Sequence, residues 1–142
     1  EWNGVTVIDD YGHHPIEIAA VLRAARESTK GQVIAVVQPH RYSRTARLME
    51  SFGDAFSDAD EVVLTEIYAA SEDPIPGVTA DALAEAIRRR ALRPVSVVKT
   101  LDELVPMLVA HARPGDAVLT LGAGSIGTVA RRLLRALQEE AA

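Results

Sequence analysis

Five times along this chain a short apolar run gives way to a segment of helical period, with few residues between them. That alternation constrains the fold more than any other feature. The second run, 32–37, carries Val33-Ile34-Ala35-Val36-Val37 without a polar break, the pattern of a strand buried on both faces. Strands are expected over 5–9, 32–37, 61–67, 95–99 and 117–121. Between and after them come helices. The first covers 15–28, with Pro15 in its opening turn, where a missing N–H costs nothing. The second is capped by Ser43 and carries Leu48, Met49, Phe52, Ala55 and Phe56 on one face. The third covers 80–90 behind Thr79. The fourth runs from 100 to about 112, with Thr100 and Glu103 at capping-box spacing. The last shows an apolar stripe of Ile126, Val129, Ala130, Leu133, Leu134 and Leu137.

This order predicts an α/β fold: a three-layer, Rossmann-like domain whose mostly parallel sheet carries helices on both faces, joined by right-handed crossovers. A length of 142 residues suits one domain with a real core. The net charge of −5, with basic residues massed only at Arg88-Arg89-Arg90 and Arg131-Arg132, argues against a nucleic-acid partner. Both arginine groups fall in helical segments and read as solvated faces. No apolar run approaches the ~20 residues that span a bilayer, so membrane insertion is not expected. Cysteine is absent, which excludes disulfides and thiolate metal sites and fits a cytoplasmic setting. The chain opens on Glu1 and enters a strand within a few residues, as expected of one domain of a longer protein.

Three loops carry chemistry, and each follows a strand. In a doubly wound sheet such loops open toward one edge, where ligands bind. The first is Asp9-Asp10-Tyr11-Gly12-His13-His14-Pro15. Asp10 suits ribose hydroxyls or a cation, and Tyr11 and His13 offer flat faces with polar tips. The second is Gln38-Pro39-His40-Arg41-Tyr42-Ser43-Arg44-Thr45. Arg41 and Arg44 stand at a helix N-terminus, where cations oppose the macrodipole and a bound carboxylate or phosphate would offset the cost. The third, Gly122-Ala123-Gly124-Ser125-Ile126-Gly127, matches G-x-G-x-x-G between strand and helix. The chain ends soon after it, so the next strand and its ribose-binding acid are missing. A tight turn, a backbone nest facing a ligand and a dinucleotide loop remain as readings. His13, His14, His40 and Asp10 are of zinc-ligand type, but spacing across two loops is weak support, and no metal site is assigned. His111 reads as a surface or core histidine.

Taken together, these loops resemble the C-terminal domain of the Mur ligases over essentially the whole chain. Glu66-Ile67-Tyr68, Glu72 and Pro74-Ile75-Pro76-Gly77 add a fourth motif in the right order. The Pro39-His40-Arg41 run with Arg44 resembles the L-alanine-adding branch; the related murein-peptide ligase branch is the alternative. The resemblance implies a three-domain ATP-dependent ligase of peptidoglycan precursor synthesis. Its N-terminal domain would bind UDP-N-acetylmuramate. Its central domain would carry the phosphate loop and the Mg²⁺ ligands. Neither is present in residues 1–142, where nothing reads G-x-x-x-x-G-K-[ST]. The domain seen here would close over ATP and deliver L-alanine, and alone it would be inactive, holding no catalytic residue and no metal ligand. Asp10 and His13 would face the nucleotide. Tyr11, His40, Arg41 and Arg44 would surround L-alanine. Gly122, Gly124 and Ser125 would border the pocket. Ser125 and Ile16 depart from the family pattern, which often has asparagine and threonine there.

Other readings make distinct demands. A receiver-like signalling module would need a phosphoryl-accepting aspartate after strand three, where Thr65 and Glu66 stand, and a lysine after strand five, whereas Lys99 follows strand four. A nicotinamide-binding domain would rest on the glycine loop. A purely structural domain would leave the three loops apart in space.

Overall fold

A computed structural model describes residues 4–12 and 14–141. The strands are β1 (Thr6–Asp10), β2 (Val33–Val37), β3 (Glu61–Leu64), β4 (Val95–Val97) and β5 (Ala117–Leu121). The helices are α1 (Pro15–Ser28), α2 (Tyr42–Ala55), α3 (Ala80–Ala91), α4 (Leu101–His111) and α5 (Val129–Ala141), with a 3₁₀ turn over Ser125–Thr128 leading into α5. The sheet order is β1-β5-β2-β3-β4, and every neighbouring pair is parallel.

The unbroken apolar run of β2 is explained by its place between β5 and β3. All five of its residues are buried. Val33, Ala35 and Val37 pack with Ile18 and Leu22 of α1, Phe52 of α2, and Leu83 and Ile87 of α3. Ile34 and Val36 pack on the opposite face with Leu104 and Leu108 of α4 and Val129 and Leu133 of α5. Strand alternation thus sorts the helices into two layers. The three helices that carry the chain from β1 through β2 and β3 to β4 share one face. The return to β5 runs the other way, and a right-handed crossover that reverses direction must change face. That places α4 opposite, and α5, which follows the last strand, packs on the same face as α4.

Helix starts follow the chemistry read from the chain, with one exception. Thr79 accepts from Ala82 N–H at 3.0 Å, and Thr100 accepts from Glu103 N–H at 3.2 Å. His14 caps α1: its Nδ1 accepts from Ile16 N–H while Glu17 accepts from His14 N–H, a reciprocal box. The exception is Ser43. It lies inside α2, whose N-cap is Arg41 with no side-chain cap. The expected strands over 61–67 and 95–99 are also shorter. β3 leaves the sheet after Leu64, and β4, which pairs only with β3, ends opposite it at Val97. The helix α2 is kinked at Leu48 (φ −109°, ψ 15°). Arg88, Arg89, Arg90, Arg131 and Arg132 are exposed, and Arg90 and Arg132 pair with Asp54 and Asp102. Among the described residues no helix is long and apolar enough to cross a membrane.

Strand order also removes the receiver-like reading. That fold runs 2-1-3-4-5, with its first strand inside the sheet. Here β1 is an edge strand, and the last strand lies between the first two.

Candidate functional site

Ligands of open parallel sheets bind beyond strand carboxyl ends, where neighbouring connections leave toward opposite faces. The tip of β5 has such a reversal on both sides. Its own helix, α5, lies on one face, while α1 after β1 and α2 after β2 lie on the other. The three loops singled out in the sequence are the exits of these three strands, and they touch. Gly122 N–H donates to the Asp10 carbonyl at 3.2 Å. Gln38 N–H donates to the Leu121 carbonyl at 3.0 Å.

Gln38 joins β2 to the glycine loop with both ends of its amide. Its oxygen accepts from Ile126 N–H at 3.0 Å, and its nitrogen donates to Ser125 Oγ at 2.9 Å. The residue is 6% exposed and Ile126 is fully buried. The backbone N–H admits only the oxygen, which fixes the amide orientation. Gly122 has φ +147°, and a Cβ there would meet the Gln38 carbonyl at 2.9 Å. A Cβ on Gly124 would lie 2.7 Å from Gln38 Oε1 and 2.8 Å from the Tyr68 ring. By contrast, a Cβ on Gly127 would meet nothing nearer than an Asp9 carboxylate oxygen at 4.0 Å. The first two glycines are therefore demanded by close packing between loops, and the third is not.

This distinguishes the loop from a dinucleotide cradle. There the glycines lead straight into a helix whose free N–H groups meet a pyrophosphate. Here a 3₁₀ turn intervenes, and the N–H groups of Gly122, Ile126 and Gly127 are bonded to Asp10, Gln38 and Gly124. Of the readings open to this segment, the tight packing turn is the one the geometry supports.

In the first loop, the Asp10 carboxylate accepts from Gly12 N–H at 2.7 Å and folds the loop back on its strand. Asp9 accepts from the hydroxyl of Thr120 at 2.7 Å, tying β1 to β5. Tyr11 is 79% exposed. His13 lies outside the described residues. The second loop holds His40, Arg41 and Arg44. Arg44 Nη1 meets His40 Nδ1 at 3.3 Å. An arginine has no acceptor, so in this contact Nδ1 is the acceptor. Arg41 has φ 71° and ψ 140°, a region that non-glycine residues avoid. Its neighbours hold it there. Arg41 N–H donates to the Tyr68 carbonyl at 2.7 Å, and its own carbonyl accepts from Thr45 N–H and Thr45 Oγ.

Two participants were not legible beforehand as partners of this loop. Glu72, in the connection after β3, accepts from both the backbone N–H and the hydroxyl of Ser43. It takes the place at the α2 N-terminus that the sequence left for an external anion. The Ser43 hydroxyl and then the Ser43 N–H, with a smaller contribution from Arg41, hold the Glu72 carboxyl below the usual glutamate range. Tyr68 packs its ring on His40, with centroids 5.6 Å apart and planes inclined by 15°. Beside this loop, Tyr42, Glu66, Ile67 and the 74–79 segment enclose a cavity of about 330 Å³. Among the described residues no group of three or more His, Cys, Asp or Glu side chains gathers as a metal site would.

The chain is thus an α/β domain on an all-parallel sheet, with three strand exits closed around one central tip and Arg41 and Arg44 in the loop after β2. Residues 1–124 match the family described as "Mur ligase, glutamate ligase domain". A UDP-N-acetylmuramate–L-alanine ligase of Rhodospirillum rubrum is 56% identical over 95% of this chain and 28% of its own length. Its counterpart in Azorhizobium caulinodans is 53% identical over 89% of this chain and 27% of its own length. The crystal structure of a Thermotoga maritima UDP-N-acetylmuramate–alanine ligase superposes with a TM-score of 0.76 at 27% identity, over 97% of this chain and 28% of that one. The chain belongs to the Mur ligase family, with the fold of that family's C-terminal domain. It spans less than a third of the length of these relatives.

Three outcomes test this geometry. Gln38→Leu leaves the buried Ile126 N–H without a partner and should lower unfolding free energy by about 1–3 kcal/mol in urea titrations. Arg41→Gly should be more stable than Arg41→Ala, the reverse of the usual order, because relief of about 1–3 kcal/mol of backbone strain outweighs the flexibility of glycine. Glu72 has a lowered folded-state pKa, so its charge stabilises the fold above the unfolded-state value and ceases to as pH falls through the folded one. The stability gap between the native chain and Glu72→Gln should therefore be full at neutral pH and close on acidification below about 4.3.

Proposed function

We propose that this chain is the amino-acid-delivering C-terminal domain of a cytoplasmic ligase that joins L-alanine to UDP-N-acetylmuramate at the expense of ATP. The observation that carries the reading is the 56% identity, over 95% of the chain, to a relative named for that reaction. The murein-peptide ligase alternative has weaker support: the solved neighbour of that name is 23% identical and informs the fold alone.

In the proposed reaction the muramoyl carboxylate attacks the γ-phosphorus of ATP, and ADP leaves. The resulting acyl phosphate is attacked at carbon by the amine of L-alanine, the amine gives up a proton, and inorganic phosphate departs. Acyl phosphates hydrolyse readily, so the site must exclude water before the first step. The role assigned to this domain is closure and alignment of the amine. Mg²⁺ would be held by the central domain and the ATP phosphates, and no step here is assigned to the metal.

Arg41 and Arg44 are the groups proposed to hold the L-alanine carboxylate, because their guanidinium forks match it and because Glu72 already fills the helix N-terminus behind them. His40 and Tyr11 would bound the side-chain pocket. Asp10 and His13 would face the ribose and adenine. Gly122, Gly124 and Ser125 would form the pocket border. The N-terminal UDP-sugar domain and the central ATPase domain would complete the cavity.

In the intact ligase, Arg44→Ala should remove about 1.5–3 kcal/mol of carboxylate binding. Steady-state kinetics should show a large rise in the KM for L-alanine with the KM for ATP nearly unchanged. Equal rises in both constants would overturn the assignment.

A further inference from the structure

Besides the Glu72–Ser43 bonds, the connection after β3 meets the arginine loop at Tyr68, which engages it through its N–H, its carbonyl and its ring. Its N–H donates to the Pro39 carbonyl at 2.8 Å, and its carbonyl accepts from Arg41 N–H at 2.7 Å. These bonds form an isolated parallel bridge between His40 and Tyr68, beyond the ends of β2 and β3. The Tyr68 ring stacks on the His40 imidazole, whose Nδ1 meets Arg44. Its other neighbour is Gly124, where even one added carbon would strike the ring at 2.8 Å. The ring is thus wedged between the glycine loop and His40. Tyr68 nevertheless remains 41% exposed, more than a core role alone calls for.

We propose that Tyr68 is a positioning residue for amino-acid binding: wedged against Gly124, it fixes the plane of His40 and through it the guanidinium of Arg44, while its backbone holds Arg41 in its strained conformation. This rests on the assignment of His40, Arg41 and Arg44 to the L-alanine pocket. The glycine loop, besides bordering the proposed pocket, then acts on the substrate through Tyr68. A shift of the loop moves the ring, the imidazole and the arginine in turn. The chemistry of the phenol hydroxyl is not required, only a flat ring of this size.

The test uses the intact ligase, with separate KM values for L-alanine, ATP and UDP-N-acetylmuramate. Tyr68→Phe keeps the ring and should behave as the native enzyme. Tyr68→Leu keeps bulk but loses the stacking plane. It should raise the KM for L-alanine roughly 2- to 12-fold, the range expected from a lost ring pair, with the other two constants unchanged. Gly124→Ala, whose Cβ would press on both the Gln38 amide oxygen and this ring, should shift the same constant in the same direction. If either variant is too unstable to assay, the other carries the test. A uniform rise in all three constants, or a change in kcat alone, would overturn the inference and leave the proposed reaction standing. Absence of L-alanine ligation by the native enzyme would instead remove the reading on which it rests.

Discussion

The arrangement depends on β5 entering the sheet between β1 and β2. That strand is made of residues 117–121, yet it supplies hydrogen bonds to strands that begin at 6 and 33. Until it is in place, the exits of β1 and β2 have nothing between them, and neither Gln38 nor Asp10 has the glycine loop to bond. The site is therefore one of the least local features of the fold. Contacts of such sequence separation carry a large loop-closure cost before they return any stabilisation. The burial of all five residues of β5, with Val118 in one core and Leu119 and Leu121 in the other, supplies what offsets it.

Charge at the start of α2 follows a different logic from the one its residues suggest in isolation. Two arginines at the positive end of a helix are unfavourable, and an external anion is the simplest remedy. The chain provides part of the remedy itself. Glu72 comes from a loop some thirty residues away and bonds the backbone and hydroxyl of Ser43, so the helix terminus is neutralised before any ligand arrives. In the proposed reading, what remains for a ligand is the pair of guanidinium groups. Side-chain forks select planar carboxylates by shape, whereas a bare helix N-terminus accepts many anions. Internal capping by Glu72 thus favours selectivity over general anion affinity.

Most of the fold was legible because its signals are local. The apolar run of β2 and the caps at Thr79 and Thr100 depend on residues a few positions apart. So do the stripe of α5 and the placement of three chemically rich loops at strand exits. What the sequence hid was pairing across distance. Ser43 looks like a cap because serine before a helical run usually is one; its partner proved to be a glutamate in another loop. β3 reads as extending to Ile67 because the apolar pattern continues, but after Leu64 the chain turns to bridge His40. Gln38 and Tyr68 stand in recognisable motifs, yet nothing in a linear reading says that one spans to Ile126 and the other stacks on an imidazole. The G-x-G-x-x-G match was real as a pattern, but the N–H groups of Gly122, Ile126 and Gly127 are bonded within the domain and a 3₁₀ turn separates the glycines from α5.

The strain at Arg41 is consistent with this division between what is local and what is not. A positive φ on a long, charged residue is a local cost with no local benefit, and it persists only where surrounding structure over-determines it. Here the over-determination comes from Tyr68 on one side and from the fully buried Thr45 on the other. A glycine at this position would fold with less strain and would carry no guanidinium. Retaining arginine where glycine fits the backbone better is the pattern expected when a side chain is kept for what it binds. The strained backbone of that loop thus supports the proposed carboxylate-binding role of Arg41 in a way that the loop's composition alone does not.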